Sequence, residues 1–353
     1  MDIVRKLASI QKIVDLQPIP EADRIERATV LGWQCVVKKG EFKVNDYGVF
    51  IEIDSLIPKT IWSGFLFRDS DKSEKYRLKT CKMKKQLSQG LMLPISILGP
   101  NAGVGETWGE VYHEGDDVTE IMGIEKYEPY IPAQLQGIIK GSFPCFIPRT
   151  DEPRLQAFPR ILEIMMNKRI YITEKIDGTS FTCFLHNDTF GVCSRNMELI
   201  ESEGNLYWKT ARSLNLEILL RQVKAATEGH EFAIQGEIYG QGVQSNKYVL
   251  SDTRLAIFNI YDITEGKYLS FDQFKNFCLE LGLPTVPILN EWSEIKNEDV
   301  DSWIQKAFGE STLNPATPRE GIVIRGLQEE TVNKFGRFSF KIINNEFLLR
   351  YGE

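Results

Sequence analysis

Short runs of alternating apolar and polar residues dominate the first third of the chain. Val30 to Val37, Tyr47 to Ile53 and Tyr76 to Met83 are rich in β-branched and aromatic residues, and turns such as Lys39-Gly40-Glu41 and Asn45-Asp46 separate them. Strands this short and this closely spaced predict a small barrel over residues 1–122. A five-stranded OB-type barrel is the common one with a surface for nucleic acid. From Gly123 to Pro153 the periodicity is lost to five prolines (129, 132, 144, 148 and 153) and three glycines. We read 123–145 as a linker.

Beyond the linker two periods alternate. Leu155 to Met166 reads as a helix packed by Leu155, Ile161, Leu162 and Met165. Leu214 to Ala226, Phe271 to Leu281 and Val300 to Phe308 also read as helices. Strands are expected at 170–175, 179–185, 190–194, 231–238, 255–262, 321–325 and 337–343. His186-Asn187-Asp188 offers a hairpin turn, which makes His186 a surface turn residue rather than a catalyst. The succession is α+β with mostly antiparallel strands.

At 353 residues the chain has room for two domains with their own cores, and 42% hydrophobic with 26% charged residues excludes a disordered polymer. The longest apolar run, Leu91 to Leu98, is broken by Pro94 and Ser96 and is too short to span a bilayer. Asp2, Arg5 and Lys6 leave no cleavable apolar core, so no export signal is expected. Six cysteines without a Cys-x-x-Cys pair read as reduced thiols of an intracellular protein, and three histidines without ligand spacing argue against zinc.

The formal net charge of −7 argues against a nucleic-acid partner until its distribution is seen. Residues 1–150 carry 20 basic and 20 acidic side chains, the remainder 22 and 29. Lys75, Arg77, Lys79, Lys82, Lys84 and Lys85 fall within eleven residues that hold no acid. Screening confines fields to about 10 Å, so such a stripe can track a phosphate backbone on an acidic protein. The alternative is a strand edge kept soluble by lysines. The change of parity between 79 and 82 implies a bulge or turn near Cys81.

The candidate chemistry starts at Thr173-Glu174-Lys175-Ile176-Asp177-Gly178. A lysine just before a turn can present its amine at the mouth of a nucleotide pocket, though a strand ending in an ordinary Asp-Gly turn looks the same. Five elements follow it in order: Ser194-Arg195-Asn196; Gln235-Gly236-Glu237-Ile238-Tyr239-Gly240; Ile257-Phe258-Asn259-Ile260-Tyr261-Asp262; Arg319-Glu320-Gly321-Ile322-Val323-Ile324-Arg325; and Ser339-Phe340-Lys341. Each alone is a strand-end charge, a core aromatic or a snorkelling lysine. Together and in this order they resemble the covalent nucleotidyltransferase superfamily of ATP-dependent ligases and RNA capping enzymes.

The resemblance covers about 146–353 and implies an antiparallel-sheet nucleotidyltransferase (ATP-grasp-like ligase) domain behind the N-terminal OB-type barrel. Twelve residues follow Lys341, too few for a C-terminal OB domain. The segments Lys38 to Val44, Ile51 to Asp54 and Gln86 to Leu91 resemble the N-terminal OB module of the RNA ligase 5 family, and Pro148 to Arg154 resembles the stretch that precedes the nucleotide pocket in RNA ligases. That similarity implies an ATP-dependent RNA ligase sealing 3′-OH/5′-phosphate breaks, with ATP and Mg²⁺ or Mn²⁺ as cofactors and RNA, expected as nicked duplex, as partner. No membrane association is expected, and a monomer is. A capping guanylyltransferase, a DNA ligase, and a non-catalytic RNA-binding OB protein with an inactive transferase domain are the alternatives.

The resemblance also implies roles. Lys175 would take AMP from ATP, with Asp177 orienting the site and Lys341 on the α-phosphate. Glu174 would read the base, Phe258 stack on it, and Arg195 and Glu237 fix the ribose. Glu320 would hold the metal through water, and Lys341, Arg195 and metal cations would lower the Lys175 pKa. Lys79, Lys82, Lys84, Arg149 and Arg154 would meet RNA or phosphate. Many members carry Lys-x-Lys in the last motif; here Ser339 holds the first position, and whether Ser339 or Arg337 takes over its contact is left open.

Overall fold

The computed structural model describes residues 5–68, 73–100, 102–104, 111–127, 138–164, 166–294, 298–332 and 336–352. Residues 128–137 of the expected linker, and Met165 of the expected helix, lie outside them. Contacts divide the chain into two units. One comprises Ile3–Pro129, Arg154–Ile161 and Asn345–Glu353; the other comprises Tyr130–Pro153 and Leu162–Asn344, with Met1–Asp2.

The first unit is built on β1 (Ala8–Pro18), β2 (Ile25–Val30), β3 (Trp33–Lys38), β4 (Tyr47–Ile51) and β5 (Leu91–Pro94), an antiparallel OB-type sheet in the order β3-β2-β1-β4-β5. The start of β1 pairs with β4 and its end with β2, and the register slips between Ile13 and Asp15. Such a bulge adds twist and lets one strand serve both halves of a curled sheet. Ala8, Ile10, Val49, Ile51, Ile57 and Leu93 pack together in its core. The run Val30 to Val37 is not one strand: Val30 ends β2, Leu31 at φ 53° turns the hairpin, and Trp33 to Val37 lie in β3. A leucine in a left-handed turn carries no turn signature, which is why periodicity missed it.

The basic stripe is likewise broken. Lys75–Arg77 is a short strand beside Ser55–Pro58, while Cys81–Met83 and Gln86–Ser88 form a hairpin turned at Lys84 (φ 50°) and Lys85 (φ 67°). Acids distant in sequence reach the stripe: Lys75 pairs with Glu125 at 2.6 Å and Arg77 with Asp54 at 2.9 Å. Lys79 donates to the Gly352 carbonyl at 2.8 Å, and Lys82, Lys84 and Lys85 are exposed.

The second unit is built on two large antiparallel sheets, beside a two-stranded ribbon of Thr331–Val332 and Gly336–Arg337. The larger, in the order β6-β10-β9-β8-β11-β12-β13, joins β6 (Ile139–Ser142), β8 (Thr179–His186), β9 (Thr189–Cys193), β10 (Met197–Leu199), β11 (Phe232–Gly240), β12 (Thr253–Asp262) and β13 (Lys267–Tyr268). The smaller, β14-β7-β15-β16, joins β7 (Arg169–Lys175), β14 (Ile288–Glu294), β15 (Gly321–Gly326) and β16 (Ser339–Ile343). Helices α1 (Leu206–Ser213), α2 (Leu216–Ala226) and α3 (Phe271–Glu280) supply Trp208, Ala211, Leu216, Leu220, Phe274 and Cys278 to the core over the larger sheet.

Three expectations change. The helix read at Leu155 to Met166 is a 3₁₀ turn, Leu155–Ala157, and a helical turn, Ile161–Ile164, because Pro159 interrupts the run. Leu214 to Ala226 loses its first residues to a helix break at Asn215 (φ 53°). Helix α1 was not anticipated; Asn205 caps it by accepting from the Tyr207 and Trp208 amides.

Candidate active site

The Lys-x-Asp-Gly element is the crossover between the two sheets: β7 ends at Lys175 and β8 begins at Thr179 in the other sheet. Lys175 lies opposite Gly321 on β15, which brings Glu320 to it, and its Nζ donates to Glu320 Oε1 at 2.6 Å. Across the crossover Thr179 and Ser180 pair with Ile238 and Glu237 on β11.

Register assigns faces to the smaller sheet, because paired residues project to one side and neighbours alternate. Lys175, Thr173 and Tyr171 share a face with Gly321, Val323 and Arg325, and with Ile343, Lys341 and Ser339. Glu174 turns to the opposite face. Its carboxylate is buried and accepts from the Ser311 hydroxyl at 2.5 Å and the Thr312 amide at 2.9 Å. The residue expected to read the base thus anchors the 311–312 loop.

The surroundings of Lys175 are acidic. Burial pulls its pKa down, but Glu320, Glu237 and Asp177 outweigh that and hold it above the ordinary lysine value. Lys341 and Arg195, expected to supply a positive field, both pair with Asp151, at 3.1 Å and 2.9 Å. Glu237 is pushed up to about 8, foremost by burial, with Lys175 opposing and Glu320 and Asp177 adding to the rise. An acid whose folded pKa exceeds its unfolded value, about 4.3, stabilises most at low pH, and that contribution is lost as pH rises through 8. Glu237→Gln removes the titration. Without nucleotide or metal it should melt higher than the parent at pH 8, with a smaller gap at pH 5; about 2–4 °C is expected per kcal/mol. A lower melting temperature for the variant at pH 8 would refute the account.

The donor set fits a hard divalent ion. Glu320, Glu237 and Asp177, the acids that act on Lys175, offer only carboxyl oxygens. Among the described residues no group of three His, Cys, Asp or Glu side chains converges on one point.

Phe258, half-buried on β12, lies 5.7 Å from the Arg325 guanidinium. Arg325 is directly opposite Ser339 in register, is 2% exposed, and pairs with Glu152 at 2.7 Å. Ser339 bonds the same Glu152 oxygen at 3.4 Å. Burial raises the Glu152 carboxyl, yet Arg325 first, then Lys341 and Arg337, bring it down to about 2. Arg337 is bidentate on Glu329, donates to Asn259 and covers Tyr268 at 3.6 Å. The cation facing Ser339 is therefore Arg325, which sequence reading passed over as a strand residue; only its register with 339 marks it. Arg149 is exposed. Arg154 belongs to the first unit, where it pairs with Asp54 at 3.0 Å, 5.8 Å from the Trp33 ring.

Two antiparallel sheets with a lysine at their crossover, and acids around it, define a nucleotidyltransferase domain. An RNA ligase family profile matches residues 168–343, and an OB-fold domain profile matches residues 7–95. A Naegleria gruberi RNA ligase variant with AMP and manganese is 36% identical, over 98% of both chains, with a TM-score of 0.84. The Naegleria gruberi RNA ligase with pyrophosphate is 37% identical over 98% of both chains, with a TM-score of 0.83. Another variant of that ligase, with ATP and manganese, is 35% identical over 99% of this chain and 100% of the other, with a TM-score of 0.86. No curated protein matches the chain. The chain belongs to the RNA ligase family.

Proposed function

We propose that this ATP-dependent RNA ligase seals 3′-OH/5′-phosphate breaks by carrying AMP on Lys175. ATP and a divalent metal, Mg²⁺ or Mn²⁺, are its cofactors. The observation that carries the reading is the placement of the Lys175 amine at the sheet crossover, 2.6 Å from Glu320. In the first step the Lys175 ammonium gives up a proton to solvent, Nζ attacks the α-phosphorus, a P–N bond forms, the α–β bridging bond breaks and pyrophosphate leaves. In the second step the RNA 5′-phosphate displaces the lysine from AMP. In the third the 3′-OH attacks that phosphate and AMP departs.

In-line displacement of this kind needs positioning and charge neutralisation more than proton transfer. Glu320 would hold the metal through water, which supplies the positive charge near Lys175 that its acidic neighbours lack. Phe258 would stack on the adenine, with Glu174 shaping the base pocket through Ser311 and Thr312. Arg195 and Glu237 would take the ribose and Lys341 the α-phosphate. We assign 1–122 to RNA recognition, 123–145 to the linker and 146–353 to catalysis, with Lys79, Lys82, Lys84, Arg149 and Arg154 toward RNA or phosphate. Nicked duplex RNA is the proposed substrate, and an intracellular monomer the proposed working form; no helix among the described residues is long and apolar enough to cross a membrane.

A ligation panel tests this. Nicked duplexes with ribose or deoxyribose on each side of the break are offered with magnesium and ATP. Ribose at the 3′-OH end should seal fastest, since the 2′-OH is what separates RNA from DNA at a site. Equal sealing of an all-DNA nick would overturn the RNA assignment. Label carried to the protein from GTP and not from ATP would overturn the nucleotide.

A further inference from the structure

Segment 244–248 lies outside every motif, yet it grips the nucleophile turn. Gln244 Nε2 donates to the Gly178 carbonyl at 3.1 Å, and the Asp177 amide donates to the Tyr248 hydroxyl at 2.7 Å. Lys247 Nζ lies 3.1 Å from Asp177 Oδ2, with the two side chains only 6% and 11% exposed. The other side of the segment is tied to the loop leading to Glu320: Thr317 Oγ1 donates to the Lys247 carbonyl at 3.0 Å, and Asn314 Nδ2 to the Tyr248 carbonyl at 2.9 Å. Gln244, Asn246 and Val249 all take left-handed backbone conformations, at φ 47°, 45° and 54°. Side chains with a Cβ rarely adopt these, least of all a β-branched valine, and such strain persists where surrounding contacts over-determine it.

We infer that Lys247 is a positioning residue for adenylylation: its buried ammonium fixes the Asp177 carboxylate and so aims the Lys175 turn at the α-phosphate. A lysine with most of its side chain out of water needs a partner, and an aspartate buried beside it needs a cation; each is costly to remove alone. The pair thus locks one rotamer of Asp177 among the acids Glu320 and Glu237, which would repel it. Lys247 does not touch the reacting atoms. It acts through Asp177, and the segment couples that turn to the loop that carries Glu320.

The inference rests on Lys175 being the nucleophile, and the experiment separates the two. Lys247→Met, Lys247→Arg, Asp177→Asn and the Lys247→Met/Asp177→Asn double variant are made in the full chain. Single-turnover lysyl-AMP formation is followed by intact-mass spectrometry against ATP concentration. Lys247→Met should lower the maximal rate about tenfold or more with little change in apparent ATP affinity, since a misplaced nucleophile loses rate before binding. Lys247→Arg should recover part of that loss. The double variant should be no slower than Asp177→Asn, because residues acting through one contact are non-additive.

A Lys247→Met rate equal to the parent, or losses that multiply in the double variant, would overturn the inference. So would a loss confined to ATP affinity. If Lys247→Met does not fold, Lys247→Arg decides alone: a rate below one-third of the parent's with an unchanged melting temperature supports the pairing, and any other result overturns it. A parent protein that forms no adduct would instead overturn the assignment of Lys175.

Discussion

Lys175→Ala is expected to abolish the AMP adduct and to lower sealing with ATP by about 10⁴-fold or more, the scale on which enzymes lose rate when a covalent nucleophile is removed. The amine is the only atom at that position that can form the P–N bond. None of the acids around it can substitute, because Glu320, Glu237 and Asp177 form the field that holds Lys175 and do not replace it. The same variant should seal RNA that already carries AMP on its 5′-phosphate to within about tenfold of the parent, since the last step breaks no bond to lysine. Intact-mass spectrometry with ATP and magnesium reads the first outcome, and gel-resolved sealing of pre-adenylylated RNA reads the second. An adduct surviving on the alanine variant would mean that another side chain carries AMP. Loss of both reactions together would point to a collapsed site.

Strand-forming segments of the second unit were legible because their apolar runs are long. Strands near 170–175, 255–262 and 321–325 fall within β7, β12 and β15. The turns were less so. Periodicity ran straight through Leu31, whose left-handed backbone at φ 53° no turn-favouring side chain announces, and the Lys84-Lys85 turn lies just past the run Tyr76 to Met83. The site's membership was readable as a set of motifs, but its electrostatics were not. Lys341 and Arg195 look like free cations in sequence and are paired with Asp151 in space. Lys75 and Arg77 of the stripe look uncompensated until Glu125 and Asp54 arrive from distant segments. Lys247 gave no signal at all, since a lone lysine after Ser245-Asn246 reads as an ordinary surface loop. What failed in each case was long-range pairing, which local pattern does not encode.

Gly178→Ala should cost about 1–3 kcal/mol of stability, as overpacking does, and slow adenylylation about a hundredfold through a displaced nucleophile. The usual reason for glycine after aspartate is a left-handed turn, and that reason is absent here, because Gly178 takes no such φ. What requires glycine is proximity. A Cβ at 178 would stand 2.3 Å from the Ile238 carbonyl oxygen and 2.9 Å from Glu237 Cγ. The first is backbone of β11 and cannot swing aside, so either the crossover lifts from the larger sheet or β11 shifts with Glu237 on it. Both movements change where Lys175 points relative to Glu237. Gly204→Ala is the control, since no atom lies within 4 Å of its would-be Cβ and its φ is not left-handed; it should match the parent in both assays. Thermal melting and single-turnover adduct formation check the pair. A Gly178→Ala protein with parental rate and stability would show that β11 yields freely, and then the two sheets cannot be what aims the lysine.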